Sequence, residues 1–374
     1  MANILDYLDW RGDIPMTEDS FNEIDGLILS QFVYLSYEGI VDEDWDKTIT
    51  IEEAGRKYFR CRPKGEEESL TLMVNNCSEV VRRMLRTDRF RKLQICGFVE
   101  KFDPVTAKQF AAVTVKISDE CVCVVYRGTD DSLTGWEEDF KLCYMLPVES
   151  QLEAKMYLQS LCEVWDGRII LGGHSKGGNL SIYAAMCLCD EYKDRILKIY
   201  NYDGPGFLPA VVESEEYLKI LPRINSYLPQ SSMIGMIMYN ESRCEIVKST
   251  EKGFFQHKAV SWEVYGPRFV NADKFDKTSI WFNNACKKWV EEIETDKREV
   301  FFDHLFQLFK SAEIGTLTEI SNDFPMVMKK VIRSYSDLDK DTKKMLRGIV
   351  KQMLKLSTET IKENRLIGRK DNNG

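Results

Sequence analysis

The sequence predicts an α/β protein with a mainly parallel sheet flanked by helices and with helical additions at both ends. Between residues 91 and 270, short apolar segments typical of buried strands alternate with longer helix-compatible segments. This alternation is typical of a parallel sheet covered on both faces. The residues before and after this part carry mostly helical patterns. We therefore expect an N-terminal helical extension packed on the core at 1–90, an α/β core at 91–270 and a helical C-terminal region at 271–374.

The N-terminal extension contains one clear amphipathic segment. Phe21–Leu35 has apolar residues at helical spacing and could pack on the core. The charged run Arg62–Glu68 contains a proline and a glycine, which predict an exposed loop or turn.

The core is expected to begin with a β-hairpin. Phe110–Ile117 and Cys121–Tyr126 are rich in apolar and β-branched residues, and the turn residues Ser118–Glu120 separate them. The segments that follow alternate in type: helix Leu152–Trp165, strand Arg168–Leu171, helix Asn179–Glu191, strand Ile196–Tyr202, and the candidate strands Cys244–Val247 and Val260–Val264. A parallel sheet is the expected result, because parallel strands need crossover connections of this kind.

Amphipathic helices dominate the C-terminal region. Lys274–Glu294 and Arg298–Ser311 have helical spacing, and so does Asp337–Lys362. We interpret these segments as a helical cap or buttress on the core. The basic residues of the last helix leave a membrane-surface or partner-binding face as the alternative, so that peripheral membrane contact stays open. Residues 368–374 are expected to fray.

Composition argues against several classes of function. The formal net charge is −9, whereas a general nucleic-acid binder needs a basic face. No basic segment with a following apolar stretch stands at the N-terminus, and no run approaches the roughly 20 apolar residues that span a bilayer. The eleven cysteines form no C-x-x-C pair, so we interpret them as reduced core residues; a disulfide framework or a zinc site is the alternative. Together these observations predict a cytoplasmic protein without a transmembrane segment.

The strongest chemical motif is Gly173-His-Ser-Lys-Gly177. It has the G-x-S-x-G pattern of a nucleophile elbow and stands between a predicted strand and a predicted helix, which is the context that the α/β-hydrolase fold gives it. The turn between strand and helix is tight, and the glycines leave the room that it needs. Ser175 is therefore the predicted nucleophile, with a plain glycine-rich turn as the alternative.

A serine nucleophile needs a base, and the chain has three histidines. His257 stands in a predicted loop downstream of Ser175, as the Ser, Asp, His order of α/β-hydrolases requires, and it is the predicted base. We expect the side chain of His174 to point away from the reacting centre and His304 to be a packing or surface residue of a helix. Asp203 ends a predicted strand and is the predicted triad acid, although an Asp before Gly also stabilises turns.

Acyl transfer also needs hydrogen-bond donors for the oxyanion. The backbone N–H of Lys176 is one candidate, because it begins a helix. Thr129 follows the second hairpin strand and could add its N–H and its hydroxyl, or it could be an ordinary turn residue. For the Lys176 side chain we favour a solvated ammonium whose stem packs on neighbours. The alternative is a charge that attracts an anionic substrate or stabilises the oxyanion.

The segment Pro229–Met238 is apolar enough to line an acyl pocket. Its candidate substrate-binding residues are Ser232, Met233 and Met236. Methionine and isoleucine are equally typical of a protein core, so both interpretations stay open.

Two separated motifs resemble the class 3 lipases. Those enzymes carry an Arg-Gly-Ser/Thr loop after a strand and then a Gly-His-Ser-x-Gly-Gly elbow, and this chain has Val125–Thr129 and Gly172–Gly178. Trp136–Phe140 also resembles the Trp…Asp segment that follows the lipase oxyanion loop. Over roughly residues 1–270 the chain is similar to a bacterial family of unknown function that is related to these lipases. Four motifs in order carry this similarity: residues 173–179, 203–207, 229–235 and 256–262.

This resemblance implies an α/β-hydrolase fold with the same nucleophile, oxyanion threonine and base as above. The chain departs from the lipases at two places. Lys176 stands where the lipases have an apolar residue after the nucleophile. The lipases take their acid from a strand that corresponds to Arg223–Gln230, which contains no Asp, so Asp203 must serve from the preceding strand.

These inferences predict a serine hydrolase, esterase- or lipase-like, that cleaves a carboxylic ester through an acyl-enzyme on Ser175. The partner would be a small-molecule ester or an acyl-lipid substrate. Amidase, thioesterase or acyltransferase chemistry would use the same residues. No cofactor is expected, because the sequence has no metal-binding cluster, phosphate loop or dinucleotide motif. The alternative function is a catalytically silent α/β-hydrolase scaffold that binds a partner through its helical region.

Overall fold

The computed structural model describes residues 1–61, 76–130, 132–316, 324–338, 340 and 342–352. Two predicted features, the exposed loop at Arg62–Glu68 and the frayed residues 368–374, lie outside this part of the chain. The predicted helix Asp337–Lys362 is helical over residues 342–352, and its remainder beyond residue 352 also lies outside.

Eight strands form one sheet, and their order in the sheet is their order in the chain. Neighbouring strands are antiparallel from β1 to β4 and parallel from β4 to β8. A separate antiparallel pair is formed by β9 and β10. The strands are β1 Ile49–Thr50, β2 Gln94–Asp103, β3 Lys108–Lys116, β4 Cys121–Tyr126, β5 Arg168–His174, β6 Ile196–Tyr202, β7 Ile224–Pro229, β8 Arg243–Val247, β9 Val264–Tyr265 and β10 Arg268–Phe269.

Helices cover both faces of this sheet, and the predicted α/β-hydrolase fold is confirmed. The α-helices are α1 Ile4–Arg11, α2 Glu23–Phe32, α3 Ile51–Cys61, α4 Cys77–Met84, α5 Leu133–Lys141, α6 Glu149–Val164, α7 Lys176–Met186, α8 Asp190–Lys193, α9 Pro209–Val212, α10 Glu215–Ile220, α11 Lys277–Glu292, α12 Thr295–Ser311 and α13 Phe324–Asp337. Within the described ranges, no helix combines the length and the apolarity needed to cross a membrane.

The two faces of the sheet bury two different apolar clusters. Successive residues of β4 show this, because Val122 and Val124 pack with helices α6 and α7, whereas Cys123 and Val125 pack with α1, α2 and α4. Side chains of a strand alternate between its two faces, so a strand that is apolar at every position is covered on both. The first helices are thus part of the main core of the molecule.

A buried ion pair joins the N-terminal helices to the segment before β2. Both side chains of the pair, Asp25 on α2 and Arg89, are inaccessible to solvent. The Arg89 guanidinium donates to both carboxylate oxygens and to the backbone carbonyls of Ile14, Asp19 and Ser20. A buried charge is tolerated when it is paired and its hydrogen bonds are satisfied, and here both conditions hold.

Two strands illustrate where the structure differs from the sequence prediction. The predicted strand Val260–Val264 is wrong, because Ala259–Ser261 forms a 3₁₀ turn and β9 begins only at Val264. The Ser261 hydroxyl bonds the Lys258 carbonyl within this turn, and such local bonds compete with strand pairing. Strand β2 was not predicted, and its interruption explains why: Gly97 has φ +62° and the register shifts there, so the apolar alternation breaks.

Candidate active site

Ser175 occupies the sharp turn between β5 and α7. Its backbone has φ 57° and ψ −133°, a left-handed conformation that a residue with a side chain rarely adopts. The two flanking glycines make this turn possible. A Cβ at Gly173 would overlap the backbone of Gly177, and a Cβ at Gly177 would overlap the carbonyl oxygen of Tyr126. The backbone is therefore strained at Ser175, directly after the carboxyl end of the central strand β5.

Asp203 and His257 meet at the same end of the sheet. Asp203 directly follows β6, the neighbour of β5, and His257 ends a 3₁₀ turn that follows β8. The two side chains are buried, and 2.6 Å separates His257 Nδ1 from Asp203 Oδ2. The predicted acid and base are therefore in direct contact, although Asp203 follows β6 and His257 follows β8.

Two further donors hold the other oxygen of this carboxylate. Asp203 Oδ1 accepts hydrogen bonds from the Ser232 hydroxyl and from the backbone N–H of Gly235. Ser232 was predicted to bind substrate, but its side chain is buried against Asp203 instead. Ser232 and Gly235 of the segment 229–235 thus hold the carboxylate of Asp203, whose backbone has φ 52°.

His174 lies closer to the site than the sequence suggested. Its ring centroid is 4.4 Å from that of His257, and its Nε2 is 2.8 Å from the His257 carbonyl oxygen. A carbonyl only accepts, so Nε2 carries the proton and Nδ1 accepts from the Tyr34 hydroxyl at 3.0 Å. Burial and the neighbouring His257 lower the pKa of His174 well below its usual value. His174 is therefore a neutral ring that supports His257. Tyr34, just after α2, was not singled out in the sequence.

The loop after β4 lies against Ser175. A Cβ at Gly128 would be 3.0 Å from Ser175 Cβ, which places the next residue, Thr129, beside the elbow. The Thr129 hydroxyl donates to Asp139 Oδ2 at 2.6 Å, so this hydroxyl is already engaged and the Thr129 N–H is the candidate oxyanion donor. The sequence offered both groups, and the hydroxyl donates to Asp139.

Asp139 is a carboxylate of the same site to which sequence reasoning gave no role. It stands on α5, 19% of its side chain is exposed, and it lines the same cavity as Ser175. Burial raises the pKa of Asp139 to about 6, although nearby Lys176 and the Thr129 hydroxyl oppose the rise. The Trp136–Phe140 segment signalled the importance of this region, but nothing in its pattern showed the contact with Thr129.

The Lys176 side chain is not solvated, which corrects the favoured prediction. Its exposure is 0%, and its ammonium bonds Glu138 Oε2 at 2.7 Å and two oxygen atoms of Gln109 at 2.9 and 3.1 Å. The Lys176 ammonium thus links α7 to α5 and β3. The backbone N–H of Lys176 opens α7, and the first N–H groups of a helix have no partner within it.

A cavity of about 300 Å³ opens beside Ser175. Aromatic and aliphatic side chains from three helices dominate its walls: Trp136 and Phe140 from α5, Phe282 and Trp289 from α11, and Phe302 from α12. Such a volume and such walls are typical of a pocket for a small apolar ligand. The C-terminal helices, interpreted from the sequence as a cap or buttress, thus supply a large share of the pocket.

The remaining predicted residues divide between this pocket and the framework. Met233 lines the cavity. Met236 is not among the lining residues, and its backbone carbonyl accepts a hydrogen bond from Asn283 on α11 at 3.0 Å. His304 lies on α12 with its Nδ1 at 2.8 Å from the Val300 carbonyl, away from the cavity lining. The sequence could not show which of the two methionines lines the cavity, because Met233 and Met236 belong to the same apolar segment.

Comparison with known proteins identifies the family of this chain. The Rhizomucor miehei lipase in its propeptide complex is similar over 43% of this chain and 58% of the lipase, just over half of its length, at 15% identity and a TM-score of 0.32. A fungal lipase–inhibitor complex is similar over 46% of this chain and 68% of that protein, at 13% identity and a TM-score of 0.32. No curated protein matches the sequence. The family model described as Mbeg1-like matches residues 84–307, which contain the elbow, Asp203 and His257. The chain belongs to the Mbeg1-like family.

Proposed function

We propose that this protein is a serine hydrolase that cleaves a carboxylic ester through an acyl-enzyme on Ser175. The observation that carries the proposal is the 2.6 Å contact between His257 Nδ1 and Asp203 Oδ2, at the same end of the sheet as the strained Ser175 turn. A carboxylate that accepts from Nδ1 fixes the imidazole tautomer and leaves Nε2 as the base.

The reaction would proceed in two halves. His257 Nε2 takes the proton from the Ser175 hydroxyl as the oxygen attacks the ester carbonyl, and the C–O bond to the alcohol then breaks. The protonated His257 gives its proton to the departing alcohol. In the second half, His257 removes a proton from water, the hydroxide attacks the acyl carbon, and Ser175 leaves with a proton returned by His257. Ester and water thus become acid and alcohol.

The oxyanion of each half would be held by backbone N–H groups. The N–H of Lys176 lies at the start of α7, where free N–H groups favour negative charge. The N–H of Thr129 is the second donor, and the hydrogen bond from its hydroxyl to Asp139 positions it. Donors that are fixed before the reaction stabilise the developing charge most effectively.

The apolar walls of the cavity favour an acyl group of hydrocarbon character. A methylene group removed from water contributes about 0.8 kcal/mol, so an acyl chain that fills this pocket would gain substantial binding energy. The pocket therefore favours an ester over a small polar amide substrate.

The test is covalent labelling of the full chain with a neutral fluorophosphonate probe. We expect labelling of the wild type and its loss in Ser175→Ala and in His257→Ala, because the first removes the nucleophile and the second its base. Two controls match these variants. Ser118→Ala changes an exposed turn serine, and His304→Ala changes a histidine outside the cavity lining; both should be labelled like the wild type.

Absence of labelling in wild-type protein that unfolds cooperatively would contradict the proposal. That result would favour a scaffold without catalytic activity. Labelling that persists in Ser175→Ala would also contradict it, because another residue would then be the nucleophile.

A further inference from the structure

Arg298 is a buried cation in the wall of the cavity that contains Ser175. It stands in the first part of α12, is 9% exposed, and lines the cavity together with apolar neighbours such as Val290 and Ile293. An arginine is a costly residue in an apolar wall, since moving a charge out of water is unfavourable unless it is paired.

The polar contacts of Arg298 are with neutral oxygens. One terminal nitrogen donates to the Val290 carbonyl at 2.9 Å, and the other donates to the Thr295 hydroxyl at 2.9 Å. Its Nε is buried and has no hydrogen-bond partner among the residues that the structure describes. Within the same residues, no carboxylate forms an ion pair with it, and burial lowers the pKa of Arg298.

The same chain shows how a structural buried arginine is accommodated. Arg89 is also inaccessible to solvent, and it has a fully buried carboxylate partner, Asp25, bonded through two nitrogens. Arg298 differs in that its Nε has no partner among the described residues and in that the residue lines the cavity that contains Ser175. The Val290 carbonyl belongs to the last turn of α11, whose dipole compensates part of the positive charge. This helix dipole does not replace a negatively charged partner for Arg298.

We propose that the ester hydrolysed at Ser175 carries an anionic group on its acyl chain, and that Arg298 binds this group. The substrate class is a monoester of a dicarboxylic acid, with the ester carbonyl at Ser175 and the free carboxylate at Arg298. The apolar walls between the two would cover the hydrocarbon chain. This inference rests on the proposed function, and the distal carboxylate takes no part in bond making or breaking.

Guanidinium chemistry supports a carboxylate as the bound group. An arginine presents parallel N–H donors that match the two oxygens of a carboxylate. Within the described part of the chain, the Nε–H of Arg298 is a hydrogen-bond donor that no protein acceptor uses. In the apolar cavity such a charged hydrogen bond would be stronger than at an exposed site.

The test compares p-nitrophenyl monoesters of dicarboxylic acids with p-nitrophenyl esters of monocarboxylic acids of equal chain length, over a series of lengths. For the wild type we expect kcat/KM to be about 10- to 100-fold higher for the anionic ester at the best length, the range for a charged hydrogen bond. Arg298→Met should abolish this preference, and Arg298→Lys should keep part of it.

A matched control is available on the same helix. Lys297→Met removes a neighbouring positive charge that is exposed and bridges to Glu294, so it should leave the preference unchanged. The melting temperature of each variant separates misfolding from lost recognition. A second measurement does not depend on turnover: the monomethyl ester of a dicarboxylic acid should bind Ser175→Ala at least about 10-fold more tightly than it binds Ser175→Ala/Arg298→Met.

Equal kcat/KM values for the two ester series in labelled wild-type protein would overturn the inference and leave the proposed function intact. A preference for esters whose anion is on the alcohol would overturn it as well, because the anion would then lie on the other side of the scissile bond. Loss of labelling in the wild type would instead end the proposed function. In that case, equal affinities of Ser175→Ala and Ser175→Ala/Arg298→Met for the monomethyl ester would show that Arg298 does not bind the carboxylate either.

Discussion

Asp203 shows how much support a single carboxylate receives in this site. Its Oδ2 contacts His257, and its Oδ1 accepts from Ser232 and Gly235. The sequence predicted Asp203 and His257 as a pair from their order and from the turn residues around them, and their side chains are in contact. It could not identify the role of Ser232, because a serine in an apolar loop has the same pattern whether it faces a ligand or a buried carboxylate.

Asp139 supplies a pH-dependent prediction at the residue scale. The pKa of Asp139 is raised by burial to about 6, from an ordinary value of 3.8. The folded state therefore binds this proton more tightly than the unfolded state does. The stability that the protonated carboxyl group contributes is fully present below about pH 4 and is lost as the pH rises through about 6. Asp139→Asn cannot ionise and keeps an acceptor for Thr129. Relative to the wild type, its free energy of unfolding should increase by up to about 3 kcal/mol between about pH 4 and about pH 8.

Urea unfolding of both proteins at the two pH values measures this difference. Asp119→Asn, at the exposed turn between β3 and β4, controls for the loss of one negative charge. If the stability of Asp139→Asn relative to the wild type stays constant or falls with rising pH, the result would contradict a raised pKa of Asp139.

At the scale of elements, α5 holds the site together and was not predicted. Its inward face carries Glu138, which is 1% exposed, in place of an apolar residue, and Gly135 interrupts its pattern. Apolar periodicity cannot detect a helix that is anchored by a buried ion pair. Strand β4 was predicted with its observed ends because it is covered on both faces and all of its residues are apolar or aromatic.

The Lys176–Glu138 pair is expected to be a strongly coupled contact between α7 and α5. Lys176→Met leaves the Glu138 carboxylate buried without its cation, so it should cost about 3–5 kcal/mol of unfolding free energy. Adding Glu138→Gln should recover part of this loss, because the unpaired charge is then removed as well. Urea denaturation of the single and double variants measures a coupling of about 0.5–3 kcal/mol.

An exposed pair provides the comparison. Lys219→Met breaks contacts with Asp190 and Glu215 at the surface and should change stability by less than about 1 kcal/mol. Additive effects of the Lys176 and Glu138 substitutions would show that the two side chains do not stabilise one another.

At the scale of the whole molecule, the pocket is assembled from segments far apart in sequence. The elbow, the loop at 233–237, and helices α11 and α12 all contribute walls. Local patterns predicted these elements separately, but which helix covers the elbow depends on packing between distant segments. For this reason the sequence located the elbow at residues 173–177 but not the helices that form the walls of the pocket.

Filling the pocket should shorten the acyl chain that is accepted. Ile237 lines the cavity, and Ile237→Trp would occupy part of its volume. With p-nitrophenyl esters we expect kcat/KM for long acyl chains to fall about 10-fold or more, while the acetate changes by less than about 2-fold. Ile280→Trp, on the exposed side of α11 and outside the lining, is the control. Equal losses for acetate and long-chain esters would argue that the cavity does not hold the acyl group.

The ion pair between Asp25 and Arg89 determines where a self-sufficient unit of this protein can begin. Arg89 lies inside the segment that the family model matches, whereas its carboxylate partner lies well before that segment. A fragment limited to residues 84–307 would keep the guanidinium and lose its counter-charge. It would also lack Tyr34, whose hydroxyl donates to His174 and so links the first helices to the ring beside the base. The segment that the family model matches therefore leaves out residues of this chain that pair with its buried Arg89 and His174.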